Sequence, residues 1–123
     1  MTTSVEQPAL RLSTEPAPGS FRLQYLIEPY AGPIVAQTLT VHEELVIGRD
    51  PAADVQLEGR LISRRHLLVR ATYTGLELED ISTYGTLVNG VPLQLARLRL
   101  GRECTVLVGC VRVWLRRVLS EEI

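Results

Sequence analysis

The strongest constraint on the fold is a period of two. From Phe21 onward the chain is a succession of short segments in which apolar residues alternate with polar ones or run together briefly. "FRLQYLIE" alternates through Phe21, Leu23, Tyr25 and Ile27, and "VAQTLTV" through Val35, Gln37, Leu39 and Val41. "ELVIG", "HLLVRATY", "LELED", "TLV", "CTVLVG" and "VRVWLRRV" continue the series. They are rich in β-branched or aromatic residues, and several are bounded by Gly, Pro, Asp or Asn. No window sustains a 3.6-residue period with caps at both ends. "LQLARLRLG" comes nearest, but it mixes periods and reads as loop and strand edge. Nine to eleven short strands at this spacing predict an all-β, two-sheet β-sandwich, with function in the loops at one end.

Residues 1–20 do not share the pattern. They are rich in Ser, Thr, Pro, Glu and Gly, close on "STEPAPGS", and read as a flexible N-terminal tail. One folded domain is expected over 21–119, with a short C-terminal tail over 120–123. A chain of 123 residues that is 46 % hydrophobic and 22 % charged is long enough to bury a sizeable core. Its net charge of −1 supplies no global field to attract nucleic acid or a membrane surface, so any anion binding must be local. All 13 basic residues are arginine, which fits compositional bias overall and forked anion recognition at two or three positions. The N-terminus lacks the basic and apolar regions of a signal peptide, and no apolar run approaches the roughly 18–20 residues of a membrane span. Cys104 and Cys110 lie in a strongly apolar region and are expected to be buried free thiols in a cytosolic, reducing setting.

Three loop motifs carry the candidate chemistry. In "VIGRDPAADVQL" an apolar strand ends at Gly48, where the chain can bend, and Pro51 stiffens the exit, so Arg49 sits at a strand end pinned by turns. A guanidinium placed this way is a good anion ligand; alternatively it is a solvated arginine. In "LISRRH", Ser63 offers a hydroxyl and a backbone N–H, and Arg64 a fork of donors. His66 opens the next apolar strand and is expected to point inward and brace the loop, whereas Arg65 is expected in solvent. In "DISTYGTLVNG", Asp80 ends a strand, Ser82 and Thr83 form a polar turn, and Gly85 supplies unusual backbone angles. Asn89-Gly90 is the strongest short hairpin signal. Hydroxyls and N–H groups on such a turn suit a phosphate or a peptide backbone, although each motif taken singly also reads as ordinary turn chemistry.

Together, "GR", then "SRRH" fourteen residues on, then "DISTYGTLVNG" resemble the forkhead-associated (FHA) domain in motif order, spacing and flanking strands, over about 21–119. The resemblance implies an eleven-stranded sandwich whose loops at one end bind a phosphothreonine peptide, with no cofactor. It implies that Arg49 contacts the phosphate or adjacent peptide backbone, that Ser63 and Arg64 donate to the phosphate, and that Thr83 helps form the phosphothreonine slot. Gly48, His66 and Gly85 would shape and brace the loops, and Asn89 and Gly90 would form the supporting hairpin. The family commonly has asparagine before the glycine of this last motif, to bond the peptide main chain. Tyr84 stands there instead and cannot copy a two-ended amide. The resemblance also implies a small pocket preferring threonine over serine, and preference beyond threonine set near Tyr84, Val91 and Pro92.

Other classes fit less well. Ser63, His66 and Asp80 are the residue types of a catalytic triad, but no nucleophile elbow is present and no catalytic residue is expected. His42, His66, Cys104 and Cys110 lack metal-ligand spacing, so no metal is expected. The alternative function is an FHA-fold scaffold that binds a partner, or itself, without phosphate. The tail carries Thr2, Thr3, Ser4, Ser13 and Thr14, so a phosphorylated Thr3 or Thr14 tethered to its own domain is a further candidate ligand.

Overall fold

The computed structural model describes residues 19–73 and 75–118. Among them eleven strands form and no helix does. The strands are β1 (Ser20–Glu28), β2 (Val35–His42), β3 (Glu44–Gly48), β4 (Val55–Gln56), β5 (Leu67–Ala71), β6 (Leu76–Asp80), β7 (Thr86–Val88), β8 (Val91–Leu93), β9 (Arg97–Leu100), β10 (Glu103–Val108) and β11 (Val111–Val118). They build a six-stranded sheet in the order β2-β1-β11-β10-β7-β8 and a five-stranded sheet in the order β4-β3-β5-β6-β9. Neighbours pair antiparallel except β3 and β4, which run parallel.

The alternation decides which side chains meet between the sheets. Phe21, Leu23 and Tyr25 of β1, Val113 and Leu115 of β11 and Val106 and Val108 of β10 face inward from the first sheet. Leu45, Ile47, Leu67, Val69, Leu76 and Leu78 meet them from the second. β5 lies at the centre of its sheet, which explains its continuous buried run Leu67–Val69. On the second sheet Arg70 bonds Glu79 and Glu44, and the Glu79 hydrogen bond, the largest influence, helps raise its guanidinium pKa.

Two details differ from the sequence pattern. Val55–Gln56 forms a strand of two residues, too short for periodicity to show. "LQLARLRLG" divides into the end of β8, a loop and β9, an edge strand. The cysteines also separate. Cys104 is buried in the core as expected, where desolvation pushes its thiol up to about 12, but Cys110 is exposed. The reason is the tight β10–β11 connection: Gly109 and Cys110 are its two turn residues, so Cys110 projects beyond the sheet. The expected tails, with Thr2, Thr3, Ser4, Ser13 and Thr14, lie outside the described residues, except that Gly19 is described and Ser20 already pairs with His42.

Candidate functional site

The loops after β3, β4 and β6 are tied together at one end of the sandwich, and Ser63 is where they meet. Its carbonyl accepts the Arg49 N–H at 3.0 Å, and its hydroxyl oxygen accepts the Thr83 N–H at 3.0 Å. Residues from the first and third sequence motifs, Arg49 and Thr83, therefore converge on one serine of the second. Because the Ser63 oxygen is an acceptor in this arrangement, its own proton remains available to an incoming anion.

Arg49 is held from two sides. Its Nε donates to the Ile62 carbonyl at 2.9 Å, and its carbonyl accepts from Gln56 at 3.3 Å. The two terminal amino groups of the guanidinium keep their donors for a ligand. Arg49 borders an open hollow of about 490 Å³ that it lines together with Gln56, Glu58, Gly59 and Arg60. Two arginines there outweigh one glutamate, so the hollow favours an anion. Arg64 is exposed, and its carbonyl accepts the Asp50 N–H at 3.2 Å, which locks the second loop to the first. Arg65 is exposed as well, 4.0 Å from Glu44.

Gly48 makes this junction possible. A Cβ at this position would collide with the carbonyl of Arg64, so only a residue without one lets the two loops touch. Beneath the junction, His66 is fully buried. Its Nδ1 accepts the Ser63 N–H at 3.1 Å, which requires Nε2 to carry the proton and to donate it to the Gly85 carbonyl at 2.9 Å. One neutral imidazole thus braces the second loop against the third. This bonding does not make a relay of Ser63, His66 and Asp80. Nδ1 is occupied by a backbone N–H rather than by the Ser63 hydroxyl, and Asp80 lies 3.9 Å from Nε2.

Asp80, legible in the sequence as a strand end, also organises the third loop. It is 1 % exposed and accepts from the Ser82 N–H and hydroxyl, the Thr86 hydroxyl at 2.6 Å and the Leu95 N–H. Ser82 in turn accepts the Gly85 N–H at 2.7 Å. The spacing Asp-x-Ser is the local signal, since an aspartate readily accepts from the backbone two residues on. Gln94 and Arg60 were also missed. Gln94 donates to the Thr83 carbonyl at 2.7 Å from eleven residues away, and nothing in its local sequence marks it.

Tyr84 is 66 % exposed at one side of the site. With Leu61, Pro92 and Leu107 it lines a hollow of about 250 Å³, whereas Val91 is not among the lining residues. Asn89 and Gly90, at φ 49° and 84°, make the expected hairpin turn. Asn89 exchanges bonds with Thr105: its N–H donates to the Thr105 carbonyl and its side chain accepts the Thr105 N–H. The hairpin is thus fastened to β10 and supports the third loop through β7 rather than directly.

With this geometry established, known proteins supply the comparison. The FHA domain family model matches residues 45–109. The FHA domain of the CT664 protein from Chlamydia trachomatis superposes with a TM-score of 0.68 at 23 % identity, covering 80 % of this chain and 99 % of that one. An FHA domain whose interactions are phosphothreonine-dependent superposes at 0.63 with 27 % identity, over 80 % and 98 %. The FhaA FHA domain, solved in complex with the intracellular domain of Rv3910, superposes at 0.61 with 28 % identity, over 76 % and 99 %. A search of the curated proteins found no significant match.

Proposed function

The chain belongs to the FHA family, and from that premise we propose that its loop end binds phosphothreonine in a partner protein, making it a phosphate-dependent adaptor. FHA domains generally bind phosphothreonine peptides. The observation that carries the proposal for this chain is the convergence of Arg49 and Thr83 on Ser63, with Arg64 alongside. The assigned roles follow from the donors. Arg49 contributes its terminal amino groups, Ser63 its hydroxyl proton and Arg64 its exposed guanidinium, and Thr83 borders the slot for the threonine side chain.

A phosphothreonine brings about −1.5 to −2 charges and three acceptor oxygens, which this many donors can satisfy together. Each hydrogen bond to a charged group contributes about 1.5–3 kcal/mol. The threonine methyl adds about 0.8 kcal/mol if the slot encloses it. Tyr84 and Leu61, flanking a common hollow, are the residues proposed to select the partner's side chains beyond the phosphothreonine. A cytosolic setting suits the proposal, since Cys104 and Cys110 are both free thiols.

An oriented phosphothreonine peptide library, screened against the chain and its Arg49→Ala variant, tests activity, site and preference together. Selective retention by the native chain, lost in the variant, is expected. Equal retention by both would remove Arg49 from the site. Rescreening the selected peptides without their phosphate separates the phosphate-independent scaffold, which would retain both forms equally well.

A further inference from the structure

Each sheet has two edges, and a free edge is a template for another strand unless something blunts it. The edges here are β2 and β8 on the six-stranded sheet, and β4 and β9 on the five-stranded sheet. Three of them are blunted in recognisable ways. β4 has only two residues. β8 has three, with Pro92 in the middle removing a backbone donor. β9 carries the exposed charges Arg97 and Arg99, engaged with Glu79 and Glu77.

β2 has none of these protections. It runs for eight residues, pairs with β1 in unbroken register from His42 to Val35, and contains no proline. From Ile34 to Val41 it bears no charged side chain. Val, Thr and Leu dominate it, the composition that favours strand pairing. Among the described residues only β1 pairs with it. Most of its residues are exposed, and Ile34, 59 % exposed, immediately precedes it.

We propose that β2 is a self-association edge, on which a second copy of this chain adds its own β2 antiparallel about a two-fold axis. An axis perpendicular to the sheet keeps inward-facing residues of both copies on one side, so residues of the same parity must face each other. Placing Thr38 on the axis sets Thr38 against Thr38, Gln37 against Leu39, Ala36 against Thr40 and Val35 against Val41. Threonine opposite threonine is a favourable cross-strand pair, and no like charges oppose each other at any of these positions. A second copy is the occupant the strand itself fits: in this register β2 is complementary to its own sequence, its uncharged residues 34–41 set no charge against its copy, and two molecules of net charge −1 repel only weakly.

Area sets the strength. Eight residues extend about 27 Å and a sheet edge is on the order of 10 Å thick. The pairing therefore covers roughly 300 Å² on each copy, well below the roughly 800 Å² per partner of a standard stable interface. The dimer is weak and reversible, and it leaves the loop end of each copy open.

Sedimentation velocity on the native chain, Thr38→Glu and Thr38→Arg tests this across roughly micromolar to millimolar concentration. The native sedimentation coefficient should rise with concentration. Each variant should stay at the monomer value, because its charge faces itself across the axis. An equimolar mixture of the two should regain the concentration dependence, since Glu then faces Arg; a variant that merely misfolded could not be rescued this way. Thermal unfolding at the native temperature confirms that each variant is folded. A native chain that stays monomeric throughout, or single variants that associate as readily as the native chain, would overturn the proposal. Neither outcome bears on phosphothreonine binding, so the two proposals stand or fall separately.

Discussion

Arg49 and Asp80 have contrasting roles at the scale of single residues. Arg49 offers its terminal donors to the ligand, so Arg49→Ala should weaken phosphopeptide binding by one to two orders of magnitude, the equivalent of one lost charged hydrogen bond of about 1.5–3 kcal/mol. Its unfolding midpoint should fall only modestly, since the bond from Nε to the Ile62 carbonyl is worth about 0.5–1.5 kcal/mol, and calorimetric titration and thermal melts on one preparation would show both effects. Asp80 is instead buried among the donors of Ser82, Thr86 and Leu95. Asp80→Asn replaces one acceptor oxygen by an amino group and should cost about 3 kcal/mol of stability, read by urea unfolding, with binding lost as the third loop loosens. A urea unfolding curve unchanged from native would show that the carboxylate is not the organiser of that loop. The sequence made Arg49 legible because a turn-bounded arginine is conspicuous. It left Asp80 half legible: the Asp-x-Ser turn is local, but its bond to Leu95 joins segments fifteen residues apart.

Between elements, the site depends on how closely two loops approach. Gly48→Ala would drive a methyl into the Arg64 carbonyl, and overpacking of this kind costs about 1–3 kcal/mol. The substitution should lower both the melting temperature and phosphopeptide affinity, because it separates the loops that carry Arg49 and Ser63. A variant with native affinity and stability would show that the contact is not needed. Glycine before Arg49 is visible in the sequence as a bend, but its steric purpose is not, since the colliding carbonyl belongs to another loop. The long strands were legible for the same reason their cores are well packed: period two covers enough residues to stand out. β4 was not, because two residues carry no period, and the Asn89-Gly90 hairpin was, because its turn chemistry is complete within two residues.

For the whole molecule, a small net charge means that ligand attraction comes from the loop end and not from a long-range field. Affinity should therefore follow the ligand's own charge. The second phosphate ionisation lies near pH 6, so binding should weaken as pH falls through about 6, where the dianion becomes a monoanion, and level off above it. A titration series from acid to neutral pH, with a melt at each point to show the fold intact, would display that direction; affinity that rises on acidification would contradict it. The architecture was legible at this scale because alternation alone separates inward from outward residues. The meeting of three distant loops on Ser63 became visible only with the fold. That meeting is tested most directly by titrating one threonine peptide, with and without its phosphate, into the native chain. Saturable binding of the phosphorylated peptide, with the unphosphorylated one at least about 100-fold weaker, is the expected result, the sum of at least two charged hydrogen bonds. Equal affinity for the two peptides would contradict the account at its centre.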